Sequence, residues 1–271
     1  MSRKLTTDTD LTAIADAIRA KSGISAPLIY PTEFVSAIEA IKTGADLTDF
    51  IENRDAWTNY ENTSTTKIAI GTFYKCSNLA SINFPVCTYI GNNAFDGCIS
   101  LSTANFPACT SIGSNAFWSC TNLTSINFPS CTIVGSSAFY NCDKLTSVNF
   151  PVCTSVGNGA FSHCSKLASV NFPVCTYIGN SAFYNCSKLT SVNFPVCTSV
   201  GSDALGWCAS LTSINFPVCT NVGNRAFELC SHLTSVNLPV CTSVANGAFD
   251  SCDSLTSINL PACTYIGYEA F

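Results

Sequence analysis

The sequence predicts an α/β-type repeat solenoid: nine coils of 22 residues with parallel β-strands on one face, preceded by a short helical hairpin. Three observations predict it. From Cys76 to Cys263 a cysteine recurs every 11 residues without a miss. The contexts of these cysteines alternate, so the true period is 22, and nine units run between Phe73 and Phe271. Each unit also carries a strand-like alternation that ends at a proline, whose missing N–H stops a hydrogen-bonded ladder at the same place in every coil. Units this short cannot bury an apolar face alone, so they must stack on one another.

Three segments follow in chain order. Residues 1–44 read as the helical hairpin. Leu11, Ile14 and Ile18 share one helix face, with Thr9 or Asp10 as the cap and Gly23 as the stop. Pro31 suits the first turn of a second helix that groups Phe34, Ile38 and Ile41 before Gly44. Such a hairpin is too small to stand alone and should dock, either on its own chain or on a larger particle as an anchor. Residues 45–70, with Leu47, Phe50, Ile51 and Trp57, are expected to cap the open N-terminal edge of the solenoid. Residues 71–271 are the solenoid. At Ala270-Phe271 the chain stops in mid-unit, and truncation, processing or a partner over the last coil are the alternatives.

Within a coil, Ile82 and Phe84 alternate inward while Ser81 and Asn83 point out, and Pro85 ends the strand. Parallel strands stack about 4.8 Å apart, so nine coils span roughly 43 Å. The remainder, Ile90-Gly91-x-x-Ala94-Phe95-x-x-Cys98, must return across the other side. The segment Leu79-x-x-Ile82-x-Phe84-x-x-Cys87 fits the leucine-rich-repeat signature. The full unit, with Pro85, Thr88, Ile90-Gly91 and Ala94-Phe95, resembles the BspA-type leucine-rich repeats of bacterial surface proteins and some protozoan ones. Two further segments, Asp10 to Gly23 and Tyr30 to Ile41, are similar to an N-terminal segment of phage and prophage tail proteins in Gram-positive gut bacteria.

Composition excludes several functions. The chain has 12 Lys plus Arg against 17 Asp plus Glu, a net charge of −5, which argues against nucleic acid as a partner. No stretch approaches the 18 or so apolar residues of a membrane span, so no membrane insertion is expected. The start, Met-Ser-Arg-Lys and then polar residues, shows no apolar core of a secretory signal. The 18 cysteines follow the repeat spacing rather than a disulfide framework, although same-column thiols on adjacent coils come near enough to bridge. With no C-x-x-C and only His163 and His232, in separate coils, no metal site is expected. Each thiol reads instead as a small buried hydrophobe.

No catalytic constellation is present either. The solenoid carries seven acids, each in a column filled mostly by non-acidic residues in other coils, so none belongs to a recurring site; Asp250 and Asp253, which flank Cys252, could lie near each other as solvated turn residues. No cofactor is expected, because no glycine-rich phosphate loop occurs; most glycines recur once per coil at a turn that tolerates Ala245.

The informative comparison is of the coils with one another. Core columns barely change, whereas the two positions after Ala-Phe change in almost every coil. That stripe holds Tyr74, Trp118, Tyr140, His163, Tyr184 and Trp207, and a milder aromatic column holds Tyr89, Tyr177 and Tyr265. Exposed aromatics with polar neighbours suit recognition, because Tyr and Trp bury much area for little lost entropy. The competing account is a surface loop that drifts while Tyr shields its turn. The resemblances imply a non-enzymatic phage or prophage tail component that recognises a bacterial surface glycan or protein. It would contact other tail proteins through residues 1–44, as a possible homo-oligomer. The alternatives are a structural spacer of a virion tail and a bacterial cell-surface adhesin.

Overall fold

The computed structural model describes residues 58–271; the helical hairpin expected over 1–44 lies outside them. The described residues form one right-through stack of 22-residue coils with parallel strand pairing. Each coil adds two strands rather than one. A three-residue strand such as Ser81–Asn83 pairs in register with Thr103–Asn105 of the next coil, each residue opposite the one 22 positions on. A two-residue strand such as Tyr89–Ile90 does the same with Ser111–Ile112. The strands expected on one face are therefore joined by a second column, and the return path contains no helix among the described residues. Of the segment 45–70, the described part joins the ladder: Asn59–Glu61 pairs with Ser81–Asn83, and Lys67–Ile68 with Tyr89–Ile90.

The short strands make one uninterrupted 10-stranded sheet, from Lys67–Ile68 to Tyr265–Ile266. Beside them every Thr88-type residue donates both its N–H and its Oγ1 to the threonine carbonyl one coil back, as Thr110 does to Thr88 at 2.9 and 3.1 Å. The three-residue strands break into groups of four, three and three, with openings between Asn127 and Asn149 and between Asn193 and Asn215. Within each group an asparagine ladder runs along the outside, Asn105 Nδ2 donating to Asn83 Oδ1 at 2.7 Å and Asn193 to Asn171 at 2.6 Å. The ring spacing of the adjoining core column widens at the same two places, to 6.0 Å for Phe128–Phe150 and 6.1 Å for Phe194–Phe216.

Two phenylalanine columns fill the interior. Within a column the rings stack, as Phe95–Phe117 at 5.0 Å, and between columns they meet edge to face, as Phe95–Phe106 at 5.9 Å and 61°. Among the described residues Tyr60 stands at the first end of both columns, 5.2 Å from Phe73 and 5.5 Å from Phe84. The cysteines fill the corners, unbridged, and all are buried except the half-buried Cys263. Their S–H groups have regular partners. In one column Cys120 Sγ donates to Phe95 O at 3.1 Å, across the coil boundary; in the other Cys109 Sγ donates to Ser111 O at 3.3 Å, two residues on.

The corner at Ala-Phe satisfies its backbone by an alternation that places the variable stripe. Asn93, Phe95 and Gly97 donate their N–H forward to Ser114, Ala116 and Trp118 of the next coil, while Ala94, Asp96 and Cys98 donate to carbonyls three residues back. Every second N–H pointing along the solenoid requires left-handed residues, and two columns supply them: φ is 55° at Asn93 and 74° at Gly97, and their equivalents include Lys75, His163, Trp207 and Leu229. The recurring Gly91-type glycine has a different cause from turn geometry. A Cβ at Gly157 would lie 2.6 Å from Ser136 N and 2.7 Å from Gly135 C, so the column marks the closest approach of successive backbones.

Candidate functional site

The first residue after each Ala-Phe leaves the corner as the chain turns toward the buried cysteine, so its side chain lies flat along the solenoid beside its equivalents. Trp118 and Tyr140 stack at 4.0 Å and 13°. His163, from the second, left-handed position, lies 5.1 Å from Tyr140 and meets Tyr184 edge to face at 5.7 Å. Tyr184 and Trp207 are 6.4 Å apart. Five of the residues singled out from the sequence thus form one unbroken aromatic row across five coils. The other three stand apart. Tyr74 is separated from the row by the coil of Asp96, and the Lys75 ammonium lies 5.1 Å from its ring centroid. Tyr89 and Tyr177 sit in the short-strand sheet with Ser111, Ile133 and Ser155 between them, and do not meet.

The row has a dip where its first position is serine. An open depression of about 430 Å³ is lined by Tyr140, Ser162, His163, Tyr184 and Asp203. Ser162 is buried, and its Oγ donates to Tyr184 O at 3.4 Å. Asn185 Nδ2 lies 3.1 Å from His163 Nδ1, which ties the imidazole to the next coil. Partial burial raises the Asp203 carboxyl above its ordinary value, and the Arg225 guanidinium opposes that rise. Burial, with the Glu228 and Asp203 carboxylates, pushes the Tyr184 phenol up, so it stays a hydroxyl at neutral pH. Ser162, Gly159 and Asp203 were not among the candidates drawn from the sequence. The signal for them was the small residue interrupting a column of rings, at Ser162 and again at Gly206.

This arrangement presents aromatic rings and hydroxyls along one face of the solenoid. Ser162 spends its hydroxyl on a backbone carbonyl, so it forms no nucleophile–base pair with His163. Burial pushes the thiols of Cys109 and Cys208 up to about 12, which leaves those two protonated at neutral pH. Among the described residues no group of three or more His, Cys, Asp or Glu side chains could hold a metal ion. Asp250 and Asp253 share a second depression, beside Phe249 and Phe271.

The family model for the BspA type leucine rich repeat region, in six copies, matches residues 58–168 and 154–271. Among solved structures, a leucine rich repeat protein of T. pallidum is similar at 27% identity and a TM-score of 0.53, over 57% of this chain and 78% of that one. A leucine rich cell surface protein of Faecalibacterium prausnitzii aligns at 20% identity and a TM-score of 0.43, over 78% and 79% of the two chains. The pneumococcal vaccine antigen PcpA aligns at 15% identity and a TM-score of 0.39, over 78% and 68%. No curated protein sequence matches.

Proposed function

Because the chain belongs to the BspA-type leucine-rich-repeat family, we propose that it is a non-enzymatic, adhesin-like binding module acting at a bacterial surface, with the row from Trp118 to Trp207 as its ligand face. One observation carries this reading. The residues that vary most between otherwise uniform coils are the ones that assemble into a continuous aromatic surface. The opposite case is the asparagine ladder, which is uniform and has its amides engaged with one another, as a structural element requires. A bacterial surface glycan or protein is the partner class that an aromatic, weakly charged face suits.

The test is binding of the labelled full chain to candidate bacterial cells. The triple variant W118A/Y140A/Y184A should lose at least tenfold in cell binding while its far-ultraviolet circular dichroism stays unchanged. Retained binding with an intact fold would refute the ligand-face reading and move the weight to a structural spacer. A second reading rests on the resemblance of Asp10 to Gly23 and Tyr30 to Ile41 to an N-terminal segment of phage and prophage tail proteins: the same module carried on a tail, held to other tail proteins through residues 1–44. Co-sedimentation of the chain with tail particles, lost on removing those residues, tests it.

A further inference from the structure

Cations are scarce in the solenoid and unevenly placed. Among residues 58–271 they are Lys67, Lys75, Lys144, Lys166, Lys188 and Arg225, and three of these six occupy one column on three successive coils. Elsewhere that column holds Asn, Ser or His. Lys144, Lys166 and Lys188 are all exposed, each in the turn that leads from a buried cysteine to a three-residue strand.

Other polar members of the column are engaged with the fold. Asn122 Nδ2 donates to Ile99 O at 2.7 Å, and His232 Nδ1 lies 2.7 Å from Ala209 O, in both cases on the preceding coil. The lysines are not held this way. Lys144 Nζ donates to the neutral Asn122 Oδ1 at 2.6 Å, whereas Lys166 and Lys188 make neither hydrogen bond nor ion pair among the described residues. The position before each lysine holds Asp143, Ser165 or Ser187, so one acid stands beside three ammonium groups.

The core fixes their spacing. Phe150, Phe172 and Phe194 lie in these three coils at steps of 5.2 Å and 5.2 Å, so the three stems leave the surface one coil step apart and their charges repel. The strands that follow them, Ser147–Asn149, Ser169–Asn171 and Ser191–Asn193, form the three-stranded group between the two openings. Beside the lysines, the exposed Ser147, Ser169 and Ser191 run in register across that group.

Like charge repeated at a fixed step fits a partner whose opposite charge also repeats. We propose that Lys144, Lys166 and Lys188 form a docking row for a linear acidic polysaccharide with one carboxylate on each sugar, the serine hydroxyls meeting its ring hydroxyls. This goes beyond the ligand-face reading, since the lysines lie outside the aromatic row. The flexible lysine stems absorb differences between the sugar repeat and the coil step. A neutral glycan would leave three ammonium groups unpaired, and a small anion would use one coil of the three. Single-stranded nucleic acid stacks its bases on open aromatic faces, but the nearby rings cover one another, Trp118 on Tyr140 and His163 between Tyr140 and Tyr184.

Fluorescence anisotropy on the full chain tests the proposal, with labelled tetrasaccharides of mannuronate and of galacturonate, a neutral mannotetraose and a short oligothymidylate. At least one acidic probe should bind, and its affinity should fall about tenfold between low and high salt. Lys144→Gln, Lys166→Gln and Lys188→Gln together should weaken it about tenfold or more, with the thermal midpoint unchanged or raised as the repulsion is relieved. The same three positions changed to Arg should bind within about threefold of wild type, and Lys67→Gln, which removes a charge elsewhere, should change nothing. Failure of both acidic probes, undiminished binding by the glutamine variant, equal binding of mannotetraose, or tighter binding of oligothymidylate would overturn the row. If both acidic probes fail while the chain adheres to cells through its aromatic row, the lysine site falls and the ligand face stands. If an acidic probe binds but the chain adheres to no cells, the ligand face falls and the lysine row stands.

Discussion

Raising the pH should unfold the solenoid well before its tyrosines and lysines titrate fully, because the cysteine corners hold protons that the unfolded chain releases. Burial lifts the thiols at Cys109, Cys153, Cys164, Cys197, Cys208 and Cys252 to about 12, and those at Cys175 and Cys219 to about 11. An exposed thiol ionises at an ordinary value near 9. Below that value both states are protonated and the thiols contribute no pH dependence. Above it the unfolded state binds fewer protons than the folded one, so stability falls as pH rises toward the folded values. At about pH 9 each such thiol costs about 0.4 kcal/mol, and at about pH 10 about 1.4 kcal/mol. Eight of them at about pH 10 then remove about 11 kcal/mol, of the order of a whole domain's stability at about 5–15 kcal/mol. The assay is equilibrium circular dichroism under reducing conditions, read against the ultraviolet absorbance of thiolate. The ellipticity should collapse between about pH 9 and 10.5, with thiolate appearing in the same transition. A chain that keeps its ellipticity at about pH 11 while thiolate absorbance rises would refute the argument, since ionised sulfur would then be tolerated in the native corners.

Three further outcomes follow from the same geometry. A neutral alkylating reagent at neutral pH should label one thiol in the native chain, Cys263, and all 18 after denaturation, as counted by intact mass. Gly157→Ala should lower stability by about 1–3 kcal/mol in thermal melts, because its Cβ would enter the backbone of the preceding coil at Ser136 and Gly135. Leu229→Gly should be neutral or raise stability by up to about 1 kcal/mol in the same assay, since φ is 58° there and a left-handed leucine costs about 1–2 kcal/mol before glycine's own entropy is subtracted.

The repeat itself was open to reading from residues alone. A 22-residue period with unchanging Phe, Cys and Pro columns allows one packing, in which like stacks on like, so the parallel register and the two-column core follow from translation along the axis. The inward turn of the cysteines and the outward asparagine ladder follow from the strand alternation that Ile82 and Phe84 display. The stripe after Ala-Phe was likewise visible, because repeats serve as their own comparison.

Other features depended on distances between coils, which no local pattern encodes. The second strand column is only two residues long, too short for an alternation to declare itself, and it exists because the coil below supplies partners for Thr88 and its neighbours. The glycine column looked like a turn requirement; its cause is the approach of successive backbones to within a Cβ's reach. The left-handed positions hold Lys75, His163, Trp207 and Leu229, residues that announce no such backbone, because the alternating direction of N–H groups toward the next coil imposes it. Which aromatics meet was decided the same way. Trp118 through Trp207 stand one coil apart and touch, whereas Tyr89 and Tyr177 share a column but lie four coils from each other. Sequence determines the column a side chain occupies; only the stacked structure decides which side chains of neighbouring coils meet, as His163 does with Tyr140 and Tyr184 across the coil of Ser162.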